Sequence, residues 1–176
     1  MVILHTNDVH GAVSNYAKVA ALASQYESEG AYVLILDAGD FSQGDTAVSV
    51  SEGATAVELM NMVGYDAVAL GNHEFDYGMA RAKAIIKEAD FPYVSCNWVD
   101  LRTGLRVLPA VKLFPAGGKW IAFVGITTPE SFTKSTPAYF MNAKQTKYIY
   151  DILGGDDGRK LYDAVQKGID KAKALG

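Results

Sequence analysis

The sequence predicts an α/β layered domain whose mixed, largely parallel sheet is flanked by helices, and three observations carry that reading. Apolar runs of strand length alternate with segments of helical period. Each of the first three runs empties directly into a polar cluster. At 176 residues and 49% hydrophobic, the chain can bury one core and has the size of a single domain.

Val2 to His5 is the first strand-like run and leads into Thr6-Asn7-Asp8-Val9-His10. A helix follows from about Tyr16 to Glu27, with Val19, Leu22, Ala23 and Tyr26 on one face and Gly30 as its stop. Tyr32 to Leu36 is continuously apolar, as in a strand buried on both faces, and ends in Asp37-Ala38-Gly39-Asp40. Glu52 to Met62 reads as the next helix. Ala67 to Leu70 is a short strand that opens into Gly71-Asn72-His73-Glu74-Phe75-Asp76, and a helix then spans about Met79 to Ala89.

Tyr93 to Trp98 and Trp120 to Thr127 read as further strands, and Gly117-Gly118 marks a tight antiparallel connection, so a mixed sheet is expected. Ser131 to Tyr150 is poorly periodic and reads as irregular. Asp157 to Ala174 reads as a helix, with Leu161, Ala164, Val165, Ile169 and Ala172 apolar and Asp156 or Asp157 as its cap. At Leu175-Gly176 this architecture ordinarily hands over to another strand, so the chain is expected to be a shortened part of a longer domain.

A net charge of −4 with scattered basic residues argues against a nucleic-acid polymer as partner. No apolar run reaches the roughly 18 residues of a membrane span. The N-terminal run lacks the form of a signal peptide, which points to a cytoplasmic protein or to a leader already removed. Cys96, the single cysteine, excludes an intrachain disulfide and reads as a small buried residue. Composition does not fix the oligomeric state.

Open α/β sheets bind ligands beyond the carboxyl ends of their strands. That edge receives Asp8 and His10 from the first strand, Asp40 from the second, and Asn72 and His73 from the third, a set of oxygen and imidazole donors suited to borderline divalent cations. Asp8 and His10 are separated by one residue, so in an extended segment both can reach one ion. Asp40 could bridge two ions. A single such cluster more often caps a helix or closes a turn; three at one edge favour a metal site.

Ile3-Leu4-His5-Thr6-Asn7-Asp8-Val9-His10-Gly11, then Gly39-Asp40, then Leu70-Gly71-Asn72-His73-Glu74-Phe75-Asp76 resemble, in order, the signatures of the 5'-nucleotidase, UDP-sugar hydrolase and 2',3'-cyclic phosphodiesterase family of calcineurin-like metallophosphoesterases. The resemblance implies that Asp8 and His10 ligate a first divalent metal ion, Asp40 bridges, and Asn72 ligates a second, with zinc or manganese as the expected kind of ion. His73 and Asp76 would form a catalytic dyad, and a metal-activated water would attack the phosphate ester of a nucleotide. It also implies a periplasmic, secreted or cell-surface location. Glu74 is expected to brace its loop, Phe75 to pack beneath it, and His5 to be structural; Asn97 and Thr127 are weaker candidates to support the ligands.

The family supplies later histidines to complete both metal shells and a C-terminal nucleoside-binding domain, whereas this chain has only His5, His10 and His73. Residues 1–176 are therefore expected to be the N-terminal portion of a catalytic domain, with the second metal incompletely held and the fragment itself expected to be inactive. A noncatalytic metal- or nucleotide-binding module, or a related cyclic phosphodiesterase or thiohydrolase, fits the same residues.

Overall fold

In the computed structural model, which describes residues 1–175, the uninterrupted apolar run of the second strand has a direct cause. Strand β2 (Val33–Asp37) lies inside a parallel four-stranded sheet of order β1-β2-β3-β4, with β1 at Val2–Thr6, β3 at Ala67–Ala69 and β4 at Tyr93–Val94. Ile35 belongs to the core shared with the helices, whereas Leu34 and Leu36 pack with Phe114, Ile121 and Phe123 on the opposite face. Both faces are covered, so both parities of β2 must be apolar. β1 has a free edge and alternates between half-buried and exposed residues.

Helices α1 (Ser14–Ser28), α3 (Ala54–Val63) and α4 (Gly78–Glu88) cover the first face and connect successive parallel strands. An antiparallel hairpin, β7 (Val111–Ala116) and β8 (Lys119–Val124), covers the second. It turns at Gly117-Gly118, both at positive φ, as the sequence leads one to expect. Two shorter strands precede the hairpin, β5 (Trp98–Asp100) and β6 (Leu105–Arg106). β5 pairs antiparallel with β6 on one side and with β9 (Tyr150–Ile152) on the other. Parallel and antiparallel pairings are thus carried by separate sheets. Helix α6 (Arg159–Leu175) packs on β7 and β8, and Asp157 Oδ1 accepts the Arg159 amide at its start, at 3.0 Å. Gly176 lies outside the described residues.

Three local expectations change. The helix expected from Glu52 starts at Ala54, because Gly53 takes a left-handed φ of 87°, and a separate short helix α2 (Thr46–Val50), capped by Asp45, precedes it. The run Tyr93 to Trp98 is two strands in different sheets: Ser95 and Cys96 donate their amides to Pro109 and Gly125 and leave the parallel sheet. Leu22 is 45% exposed, because the buried stripe of α1 runs through Tyr16 and Ala23 and leaves Leu22 above the free edge of β1.

Asn97 and Thr127 are fully buried but serve the fold. The Thr127 amide donates to Asn97 Oδ1 at 2.9 Å, and Asn97 Nδ2 donates to the carbonyls of Thr127 and Leu153. Ser131 to Tyr150 is mostly irregular, as expected, with a short helix α5 (Ser131–Lys134), a 3-10 turn at Pro137–Phe140 and an isolated antiparallel bridge between Met141 and Tyr148 before β9 begins at Tyr150.

Phe75 anchors the loop after β3 from beneath. It is fully buried, meets Trp98 edge-on at 5.3 Å between ring centroids, and lies 5.0 Å from Phe140. Phe75→Ala is expected to lower unfolding free energy by about 3–5 kcal/mol, because such a truncation leaves a cavity where three rings meet. Urea titration followed by tryptophan fluorescence measures it; a loss below about 1 kcal/mol would contradict the anchoring role.

Candidate active site

The three loops that follow β1, β2 and β3 lie side by side at the carboxyl edge of the parallel sheet. The first two are zipped together by backbone bonds, Asp8 N–H to Gly39 O and His10 N–H to Asp40 O, each 3.1 Å. The second and third touch backbone to backbone: a Cβ on Gly39, at φ 102°, would lie 2.3 Å from the Gly71 nitrogen, and one on Gly71 would lie 2.3 Å from Asp40 Oδ1. Only glycine fits at these two positions.

The Glu74 carboxylate ties these loops from below. Its two oxygens accept the amides of Asp40, Phe41, Ser42 and Gly71 at 2.7–3.3 Å. Burial and the nearby Asp40 charge raise its proton affinity, and the amide donors oppose that rise. Ser42 Oγ donates to the His73 carbonyl at 2.9 Å, a second tie between the same loops.

Each expected site residue falls on this rim. Asp8 Oδ1 stands 3.4 Å from His10 Nε2. Asp40 Oδ1 accepts the His73 amide at 2.8 Å, which fixes its carboxylate. The rings of His10 and His73 meet edge-on, 4.9 Å between centroids. His73 Nδ1 lies 2.6 Å from Asp76 Oδ2 across one 3-10 turn (His73–Phe75), so the carboxylate orients the imidazole and Nε2 is the nitrogen left for other work. Asn72 is 5% exposed and its Nδ2 has no hydrogen-bond partner among the described residues. His5 remains in β1, exposed and opposite Leu36.

The segment that carries Asp8 and His10 is not extended as expected: β1 ends at Thr6, and loop geometry rather than strand alternation brings the two side chains together. Asp8, His10 and Asp40 adopt positive φ of 51°, 45° and 63°, the left-handed region that non-glycine residues enter at a cost of roughly 1–3 kcal/mol each. Such strain persists where surrounding bonds impose it, and here the zipped amides and the Glu74 carboxylate do so.

Divalent cations fit part of this donor set. Two ligands about 2.1 Å from one ion at tetrahedral corners stand about 3.4 Å apart, the separation found between Asp8 and His10. Asp8 and Asp76 pair only with histidines among the described ion pairs, so no lysine or arginine there neutralises these two acids. The atom of buried Asn72 left without a partner among the described residues is its Nδ2 donor, which asks for an acceptor and does not itself ligate a cation; ligation by Asn72 would use Oδ1. Among the described residues, no three His, Cys, Asp or Glu side chains gather closely enough to hold an ion by themselves. The fit is therefore partial: the Asp8–His10 pair has the spacing of two ligands, and the Asp40 backbone is bonded to His10 beside it.

Residues 1–156 match the calcineurin-like phosphoesterase family. The chain belongs to that family. This calcineurin-like phosphoesterase is 35% identical over 163 residues to the snake venom 5'-nucleotidase of Gloydius brevicauda, covering 80% of this chain and 28% of that protein. Its fold superposes on a 5'-nucleotidase precursor from Thermus thermophilus with a TM-score of 0.75 and 27% identity, over 96% of this chain and 34% of that one. It also superposes on the sulfate thiohydrolase SoxB of Thermus thermophilus, with a TM-score of 0.76 and 25% identity, over 94% of this chain and 28% of that one. The phosphoesterase chain thus spans about a third or less of each of these three proteins.

Gln43 and Asp37 join the site without having been expected there. Gln43 Nε2 lies 2.8 Å from His10 Nδ1; its sign in the sequence is only its place three residues after Asp40. Asp37, buried at the end of β2, is bound by the Thr6 hydroxyl at 2.5 Å and the Gly39 amide at 2.7 Å, and burial pushes its carboxyl from 3.8 up to about 7.

Both buried acids give measurable consequences. Glu74→Gln replaces one acceptor oxygen by a donor facing backbone amides and is expected to cost about 3–5 kcal/mol, measured by urea unfolding; an unchanged midpoint would contradict the clamp. Because Asp37 binds its proton more tightly when folded, its contribution is complete below pH 4 and is lost as pH rises towards 7. In chelator, Asp37→Asn should flatten that decline, which approaches ~1.4 kcal/mol per pH unit for one proton. Equal slopes in both proteins would contradict it.

Proposed function

We propose that residues 1–176 form the N-terminal, metal-holding portion of a catalytic domain that hydrolyses phosphate esters of nucleotides. The observation that carries this reading is the meeting, on one rim, of the Asp8–His10 pair, the fixed Asp40 carboxylate and the His73–Asp76 dyad. Membership of the phosphoesterase family and likeness to 5'-nucleotidases support the reaction class and the nucleotide substrate.

In this reading Asp8, His10, Asp40 and Asn72 would hold two divalent cations, zinc, manganese or similar. When bound, the cations supply charge neutralisation and lower the pKa of water. His73, oriented by Asp76, offers Nε2 to the phosphoryl or leaving oxygen and stabilises negative charge there or gives it a proton. Asp40 would be shared in that site, since the His73 amide holds one of its oxygens and leaves the other available to a cation.

No helix among the described residues is long and apolar enough to cross a membrane. The likeness to a venom enzyme supports a location outside the cytoplasm. The fold shared with a sulfate thiohydrolase supports a second reading, in which the same rim serves a different ester.

The test uses the full-length protein with added manganese or zinc and compares a nucleoside monophosphate, a 2',3'-cyclic nucleotide and a thiosulfate ester. Hydrolysis of the monophosphate is expected, with kcat reduced about 10²–10⁴-fold by His73→Ala and by Asp40→Asn. Preferred turnover of the thiosulfate ester would select the second reading. Metal binding without turnover of any ester would replace both by a noncatalytic module, and full activity in both variants would refute the site assignment.

A further inference from the structure

His10 is held by more than its own loop. Its amide donates to Asp40 O and its carbonyl accepts the Asp45 amide, each at 3.1 Å. The segment Gln43-Gly44-Asp45 closes over it so tightly that a Cβ on Gly44, at φ 122°, would lie 2.1 Å from the His10 carbonyl oxygen. Ser49 Oγ fixes this turn, accepting the Gly44 amide at 3.1 Å and donating to the Gly44 carbonyl at 3.2 Å. The turn brings the half-buried Gln43 amide to 2.8 Å from His10 Nδ1.

We propose that Gln43 is a positioning residue that sets the ring orientation and tautomer of His10 and so makes Nε2 the nitrogen offered to a divalent cation. This rests on the reading that His10 is a metal ligand. With Gln43 Nε2 donating to Nδ1, the ring proton of the neutral imidazole sits on Nε2 and faces Asp8 Oδ1, 3.4 Å away. Ligation through Nε2 requires that nitrogen bare, with the proton on Nδ1. A primary amide serves both states: turned by half a revolution about its last torsion, it presents Oε1 to accept from Nδ1–H. A carboxylate at position 43 can only accept, and an alanine can do neither.

The test measures manganese binding by calorimetry at pH 8 for the wild type, Gln43→Ala, Gln43→Glu and His10→Ala, together with ¹⁵N spectra of the His10 ring with and without zinc. Gln43→Ala is expected to weaken binding about 10–100-fold, the usual cost of removing a partner behind a ligating histidine, and Gln43→Glu to restore it. The ring of Gln43→Glu should carry its proton on Nδ1 before zinc is added, whereas the wild-type ring should move it there on binding. Wild-type affinity in Gln43→Ala, with binding lost in His10→Ala, would overturn the role of Gln43 and leave the metal site standing. Equal weakness in Gln43→Ala and Gln43→Glu would reduce the contact to packing and also overturn it. Wild-type binding in His10→Ala would refute the metal-ligand reading itself.

Discussion

Glu74 accepts backbone amides from two loops at once, Asp40, Phe41 and Ser42 on one and Gly71 on the other, and the shape of the rim depends on that convergence. Loops beyond a parallel sheet have no ladder to continue, so their amides need other partners. A buried carboxylate costs several kcal/mol to desolvate unless its oxygens are filled. Here each requirement answers the other: the amides satisfy the acid, and the acid fixes amides that strand geometry has abandoned.

From that clamp the remaining geometry follows. Asp40 is locked into a left-handed conformation with its carboxylate against Gly71 and the His73 amide. Its carbonyl holds the His10 amide, so the first loop inherits its position from the second. Beneath the third loop, Phe75 packs among aromatic rings and sets the height of the turn that carries His73 and Asp76. The result is a set of acids and imidazoles carried on loops that backbone bonds and core packing hold in place.

Much of this was legible in the letters. The four parallel strands, the intervening helices and the Gly117-Gly118 hairpin were readable because burial on two faces, helical period and turn chemistry each leave a local mark. Asp8, His10, Asp40, Asn72, His73 and Asp76 were readable because each cluster follows a strand of one sheet, and the structure brings those clusters to one rim. The split of Tyr93 to Trp98 was hidden, because one apolar run can feed two sheets and only the long-range bonds of Ser95 and Cys96 decide where it divides. Gln43 and Asp37 were hidden for the same reason: their partners are 33 and 31 residues away, and no short spacing announces them.

The central claim is that these clamped loops form one cation-holding rim, and anomalous diffraction from crystals of the protein soaked in manganese or zinc tests it most directly. The account predicts a peak within bonding distance of Asp8 and His10, adjacent to the Asp40 carboxylate. A soaked crystal whose anomalous peaks all lie elsewhere, with this rim empty, would contradict it.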